Sequence, residues 1–373
     1  MPVLTENWPL DHDPRWPPHW DAGTATAEPL IVYLDQWCFD HLARDRAGRA
    51  LAPSEAGTFE LLRGLALDGS VVFPLSQAHY RENWKRDNVD ARWDTAVVMG
   101  ELSGFHTLRM SNLQHWDALV GAGAFLDAAV SIDKPAVVGW GLKHCLTGNQ
   151  GEAFILDTST GARAQWDSSL PEDMRGSLEA LEAAVPYRFE LAMLALRDPR
   201  MESALMPLVS IADTQGRRFA DQERSIRAAI ERHGRTAQVV RNTIEFLAFK
   251  DSLALFDPAL RYLGHEPNTI VEAIVADVTD GQSSAMNRLL HAMPIQGAFT
   301  ELRVQSHLKA QWNTTDSDLL DFLALATALP FVDYYVSDRK TYNLAASADL
   351  GRRGGGQVLR SLRSLCDLLQ VRI

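Results

Sequence analysis

Four acidic residues stand where carboxylates can do hydrolytic chemistry: Asp35, Glu82, Asp321 and Asp338. Asp35 closes the apolar run Leu30–Leu34 (LIVYL), and Glu82 follows His79 by three residues on a helical stretch. Asp321 and Asp338 bound the segment DFLALATALPFVDYYVSD. Carboxylates brought together repel one another, and at neutral pH they stay charged together only with a cation among them. Hard oxygen donors with few His or Cys favour Mg2+ or Mn2+. Two such ions about 4 Å apart would activate a water and stabilise the leaving oxygen in phosphodiester hydrolysis. Asp318, one turn before Asp321 on the same face, has two readings of equal weight. It is a helix cap, since Thr315-Asp316-Ser317-Asp318 fits a capping box, or it is a further ligand. Beside Asp338, Ser337 is a candidate to hydrogen-bond a carboxylate or phosphate, and Arg339 and Lys340 are candidates for contact with a substrate phosphate. His79 reads as a structural helix residue.

These residues need elements that bring them to one place. Leu319, Leu320, Phe322, Leu323, Leu325, Ala326 and Leu329 are apolar almost all round, so the pattern predicts a helix buried on more than one side, ended by Pro330. Val332–Ser337 then reads as a strand. The helix from Asp321 rises roughly 12 Å at about 1.5 Å per residue, and the strand returns roughly 20 Å at about 3.3 Å per residue. Asp321 and Asp338 therefore meet at the carboxyl end of the strand, the edge where open α/β sheets place their sites. Asp333 starts that strand, roughly 16 Å from Asp338 at about 3.3 Å per residue, and is excluded. Leu30–Leu34 and Val71–Leu75 read as strands buried on both faces, the second weakened by Pro74, and Phe105–Met110 as a third. Helices are expected over Phe39–Arg46, Ser54–Leu67 and the stretch SQAHYRENWKR, capped by Ser76. Strands separated by helices indicate an α/β core with a parallel sheet. Residues 113–299 carry mostly helical periodicity, over Gly176–Ala195, Phe219–Phe256 and Pro267–Ala292. The sheet pattern returns near Leu302 and ends with Gln357–Leu359 and a helix over Ser361–Leu369. Residues 1–28, rich in Pro and Trp, read as an irregular arm.

The 373 residues, 46% hydrophobic and 23% charged, suffice for a large core. The longest apolar run is too short to span a bilayer and is broken by Pro330, and Met1–Trp20 lacks the apolar stretch of a signal peptide. Three dispersed cysteines point to a reducing cytoplasm and away from structural zinc. A net charge of −12 argues against a simple DNA-coating protein. After Asp338 the chain has seven basic residues against two acidic ones, a balance of +5 that leaves about −17 for the rest. The basic tail reads as a solvated helix face, with guidance of a phosphate backbone as the alternative. The glycine cluster Gly351–Gly356 lacks the Lys-Ser/Thr ending of a P-loop.

The stretches LIVYLDQWCFDHLAR, VVFPLSQAHYRENWKR and DLLDFLALATALPFVDYYVSDRK resemble the PIN-like nuclease family, in particular its larger prokaryotic members. The resemblance covers roughly the first hundred residues after the arm and the last seventy. It implies that Asp35, Glu82, Asp321 and Asp338 bind the metal. It departs from the family in having Trp37 where an asparagine is usual after "LDQ", and in the size of the insertion. What it implies is a three-layer α/β fold with a mainly parallel central sheet, split into residues 29–112 and 300–373 around the helical insertion. The implied activity is a Mg2+- or Mn2+-dependent nuclease acting on nucleic acid, RNA foremost. The competing expectation is a non-catalytic PIN-like module whose insertion binds a protein, a second copy or a nucleic acid. A phosphomonoesterase of DxD type is disfavoured, because LDQW lacks the second aspartate.

Overall fold

The structure, a computed structural model, describes residues 28–109, 113–128, 132, 134–147, 186–197, 199–279, 282–353 and 355–372. The expected N-terminal arm (through residue 27) and residues 176–185 of one expected helix lie outside them. In chain order the first part has β1 (Leu30–Leu34), α1 (Gln36–Arg46), α2 (Thr58–Leu67), β2 (Val71–Val72), α3 (Gln77–Trp84), α4 (Val89–Ser103) and β3 (His106–Leu108). There follow α5 (Gln114–Phe125), β4 (Val138–Trp140), α6 (Gly141–Thr147), α7 (Pro186–Ala195), α8 (Pro199–Arg232), α9 (Ala237–Tyr262) and α10 (Thr269–Ala276). A hairpin of β5 (Val278–Thr279) and β6 (Gln282–Ser283) leads to α11 (Ser284–Ala292) and α12 (Pro294–Leu308). The chain closes with α13 (Asp318–Ala328), β7 (Tyr334–Val336), α14 (Arg339–Ser347), α15 (Leu350–Arg353), β8 (Gln357–Leu359) and α16 (Leu362–Arg372).

The central sheet is parallel with strand order β2-β1-β7-β8. Pro74 has no N–H to donate, and β2 stops at Val72; pairing resumes at Leu75, which bridges in parallel to Thr107 of β3. β4 then lies antiparallel on β3. Side-chain alternation along β1 sorts the two faces. Val32 and Leu34 enter one core with Phe39, Leu42, Phe59 and Leu62 from α1 and α2. Tyr33 enters the opposite core with Phe322, Leu325 and Leu329 from α13 and its end, and Leu344 from α14. Tyr334 and Val336 of β7 share the first core, and Tyr335 the second. A sheet buried on both faces follows from such continuous apolar strands, and each fully buried Leu or Phe stabilises by about 1.5–3 kcal/mol.

The described residues of 113–299 are helical apart from β4, the hairpin and short connecting loops, and their helices pack into the cores of the sheet. Phe189, Leu191 and Met193 of α7 belong to the first core, and Phe219 of α8 and Ile295 of α12 to the second. A third core forms among α5, α9 and α11 around Ala118, Ala248, Phe249 and Leu289. Three local expectations are corrected. Phe219–Phe256 is two helices, because Gly234 takes the left-handed φ of +94° and ends α8. Pro267–Ala292 is likewise two helices, parted by the β5–β6 hairpin. The sheet does not resume at Leu302, which is fully buried inside α12; a helix embedded between cores loses the one-sided pattern that would have distinguished it from a strand.

Candidate active site at the carboxyl edge of the sheet

Passing from β1 to β2 the chain moves to one side of β1, and it returns on the other side as β7. The β1–β7 boundary is thus the point where the strand order reverses, the usual place for a ligand crevice in an open α/β sheet. Asp35 follows β1 directly and Asp338 lies two residues past β7. The Asp35 N–H donates to the Val336 carbonyl at 3.0 Å, and the Asp338 N–H points at Asp35 Oδ2 at 3.4 Å. Both aspartates cap the helices they begin. Asp35 Oδ1 accepts from the Gln36 N–H at 2.7 Å, and Asp338 Oδ1 accepts from the Thr341 N–H at 2.6 Å. Each carboxylate is therefore fixed by one short hydrogen bond, on Oδ1.

Glu82 is positioned through α3. The His79 ring takes the Ser76 N–H on Nδ1 at 2.8 Å, so Nε2 carries the proton and donates to the Leu34 carbonyl at 2.7 Å. Burial pushes this imidazole down to about 4, keeping it neutral. His79 is thus structural, as expected, and ties α3 to the end of β1. Its ring stacks on Tyr33, which stacks on Tyr335, with centroids 4.9 and 4.7 Å apart, forming an aromatic floor beneath the carboxylates. On the far side of α3, Asn83 and Trp84 donate to the Leu194 and Met193 carbonyls of α7.

Asp35, Glu82, Asp321 and Asp338 all line one open cleft of about 480 Å³. Their proximity shows in their acidity. Asp321 is raised to about 8, by burial first and then by Asp35, Glu82, Asp318 and Asp338. Glu82 is raised to about 7 by burial and Asp35, against the opposing pull of Lys85 and Arg86. Asp35 is raised to about 6 by burial and Asp338, against its backbone hydrogen bonds. Among the described residues, however, no three His, Cys, Asp or Glu side chains are gathered closely enough to hold one ion as they stand.

The remaining expected residues lie elsewhere. Asp318 does both backbone and ionic work: Oδ2 accepts from the Thr315 N–H at 3.0 Å, and Oδ1 receives Lys340 Nζ at 2.5 Å. Lys340 Nζ also sits 4.4 Å from the Trp312 ring centroid. Asp318 and Lys340 thus neutralise each other outside the residues lining the cleft. Ser337 is fully buried, with its N–H on the Leu359 carbonyl and its Oγ on the Asp338 carbonyl, so the expected contact with substrate is not available to it. Arg339 is exposed at the start of α14 and is not a cleft residue. Asp333 accepts the Ile31 N–H at 2.8 Å at the other end of the strand pair, outside the cleft as expected.

Several cleft residues escape a reading by pattern: Gln36, Trp37, Asp40, Lys85 and Arg86. Asp40 forms a short ion pair with Arg86, and Lys85 pairs with Asp213 of α8. Lys85 and Arg86 stand three and four residues after Glu82, which suggests local helix pairing with it; their partners instead come from distant segments. Gln36 is 7% exposed, and both polar atoms of its amide lack a hydrogen-bond partner. A buried amide without partners at the wall of a cleft is costly and marks a place for a ligand.

No family model, no curated protein and no solved structure matches this chain.

Proposed function

We propose that the protein is a metal-dependent nuclease of the PIN-like type, cleaving phosphodiester bonds in RNA foremost. The observation that carries this reading is the convergence of four carboxylates, three of them held above their ordinary pKa, in one cleft where the strand order reverses. Enzymes keep such uncompensated groups where charge is needed for function. The donor chemistry fits a hard divalent cation: Asp35 and Asp338 each keep one oxygen free of strong hydrogen bonds, and Glu82 and Asp321 face the same space. Asp35, Glu82, Asp321 and Asp338 would hold Mg2+ or Mn2+. Once bound, the ion lowers the pKa of water and offsets negative charge on the phosphodiester.

The side chains supply the rest. Asp35 and Asp338 are oriented by the helices they cap. Asp321, raised to about 8 by burial and by its acidic neighbours, would give up its proton as the ion binds. Arg86, steadied by Asp40, and Lys85, steadied by Asp213, present cations to a phosphate entering the cleft. Asp318 and Lys340 support the start of α13 and are not assigned as ligand and substrate contact.

Purified Asp35→Asn and Asp338→Asn proteins should lose Mn2+-dependent RNA cleavage and keep the wild-type circular dichroism spectrum. Undiminished cleavage by both would sink the proposal. A second reading, a binding module without catalysis, is favoured by one observation: as they stand, the carboxylates are not gathered about a single ion position. Calorimetry with Mn2+ separates the two, since a wild-type protein that takes up no Mn2+ fits the second alone.

A further inference from the structure

Two further cavities adjoin the carboxylate cleft and share its walls. One, of about 400 Å³, has Asp40 and Arg86 in common with the cleft and extends to Arg44 and Arg49 at the end of α1 and beyond it. The other, of about 580 Å³, has Lys85 and Ser317 in common with it and extends to Arg217 and Arg224 of α8. Resting on the nuclease reading above, we infer that the three form one groove that passes a single polynucleotide strand through the carboxylate cleft. Arg44 and Arg49 would hold phosphates on one side of the cut, and Arg217 and Arg224 on the other. The cut is then internal, and the insertion supplies half of the substrate track.

Charge is laid out for this. Acids dominate the centre, whereas each flank has three cations against two acids, Asp40 and Asp94 on one side and Asp213 and Asp316 on the other. The cations are little committed. Arg44 and Arg49 are exposed and have no ion-pair partner among the described residues. Arg217 makes a long 3.4 Å hydrogen bond to Thr214, and Arg224 pairs with Asp221 on its own exposed helix face. Surface pairs of that kind are weak and give way to a phosphate. The wall is also fixed in place. A Cβ on Gly216 would fall 2.4 Å from the Asp316 carbonyl oxygen, so the backbone of α8 lies directly on the loop that enters α13 and leads to Asp321. In the centre, Trp37 and the unpartnered Gln36 amide offer a base a stacking face and hydrogen bonds.

The test uses fluorescent oligo(U), with anisotropy in Ca2+ for binding, and a circular single strand in Mn2+ for cleavage. Arg44→Ala/Arg49→Ala and Arg217→Ala/Arg224→Ala should each lower the slope of log affinity against log salt by about 1.4, at about 0.7 per lost phosphate contact. The wild type should cut the circle. All four arginines are exposed, so the variants should keep the wild-type dichroism spectrum. Unchanged affinity and slope in the α8 variant, or linear strands shortened from their ends while the circle survives, overturns the inference. A wild type that cuts neither substrate removes the nuclease reading instead, and the binding measurements alone then decide whether the groove holds a strand.

Discussion

The carboxylate cleft and the Glu223 cluster of the helical insertion both bury acids, and they treat them in opposite ways. In the insertion, Glu223 of α8 is 2% exposed, yet its two oxygens are fully taken. Arg303 donates from Nε and Nη2 at 3.1 and 2.6 Å, and His307 Nε2 lies at 2.7 Å. Burial alone would raise this acid, but the His307 bond and the Arg303 charge outweigh it and leave it below its ordinary value. Nearby, Glu301 and Glu245 share Arg241, and burial still holds Glu245 above its ordinary value. In the cleft, four acids face two cations that are already engaged by Asp40 and Asp213. Completed ion pairs hold helices together; an incomplete set holds room for a charge from outside.

The largest effects should come from breaking the completed set. Glu223→Ala leaves a buried guanidinium and imidazole without a partner and should cost about 3–5 kcal/mol in urea unfolding. The equivalent change in the cleft should have the reverse sign. Asp321→Asn relieves a repelled carboxyl and should raise stability by about 1 kcal/mol or more at neutral pH, since each unit of pKa shift corresponds to about 1.4 kcal/mol. A loss of stability in Asp321→Asn would show that the cleft is compensated after all. Mn2+ should substitute for the missing cations: at a hundred times its Kd it should stabilise the wild type by about 2.7 kcal/mol, and Asp35→Asn/Asp338→Asn should lose that gain in a thermal melt.

The pH dependence follows from the same contrast. Asp321 and Glu82, at about 8 and 7, and also Asp117 outside the cleft, at about 7, keep protons in the folded state that the unfolded chain has released. Groups raised on folding stabilise at low pH and lose that contribution as pH rises through their folded pKa. Urea midpoints should therefore fall between about pH 6.5 and about pH 8, and saturating Mn2+ should flatten the part due to the cleft. His79 acts only below its ordinary value, outside that window. The smallest effect is expected at the exposed Arg261–Asp257 pair of α9, where Arg261→Ala should shift stability by about 0.5 kcal/mol or less.

Much of the cleft was legible in the sequence because its acids sit at strand ends and helix starts. Leu30–Leu34 announces a buried strand, and an aspartate straight after it has few places to go. Asp321 and Asp338 could be brought together by lengths alone. What could not be read were the pairings. Lys340 goes to Asp318 and not to substrate, and Arg86 goes to Asp40, 46 positions away, and not to Glu82. Periodicity reports which face a residue lies on within its own element, and is silent about the partner across the interface. The same limit hid α12: with Leu302 and Val304 buried together with Arg303 and Glu301, its sequence offers no polar face to set the phase.

The pairing of β1 with β7 joins residues some 300 positions apart, as in the Asp338–Asp35 contact with its separation of 303. Such a contact closes a very long loop, and the entropy of that closure must be met before the pairing repays it. During synthesis the first half of the cleft, Asp35 and Glu82, leaves the ribosome long before Asp321 and Asp338 exist. A chain of this design cannot assemble its acids while most of it is still being made. On the nuclease reading proposed above, the chain would therefore be inert toward nucleic acid until its final strands are in place.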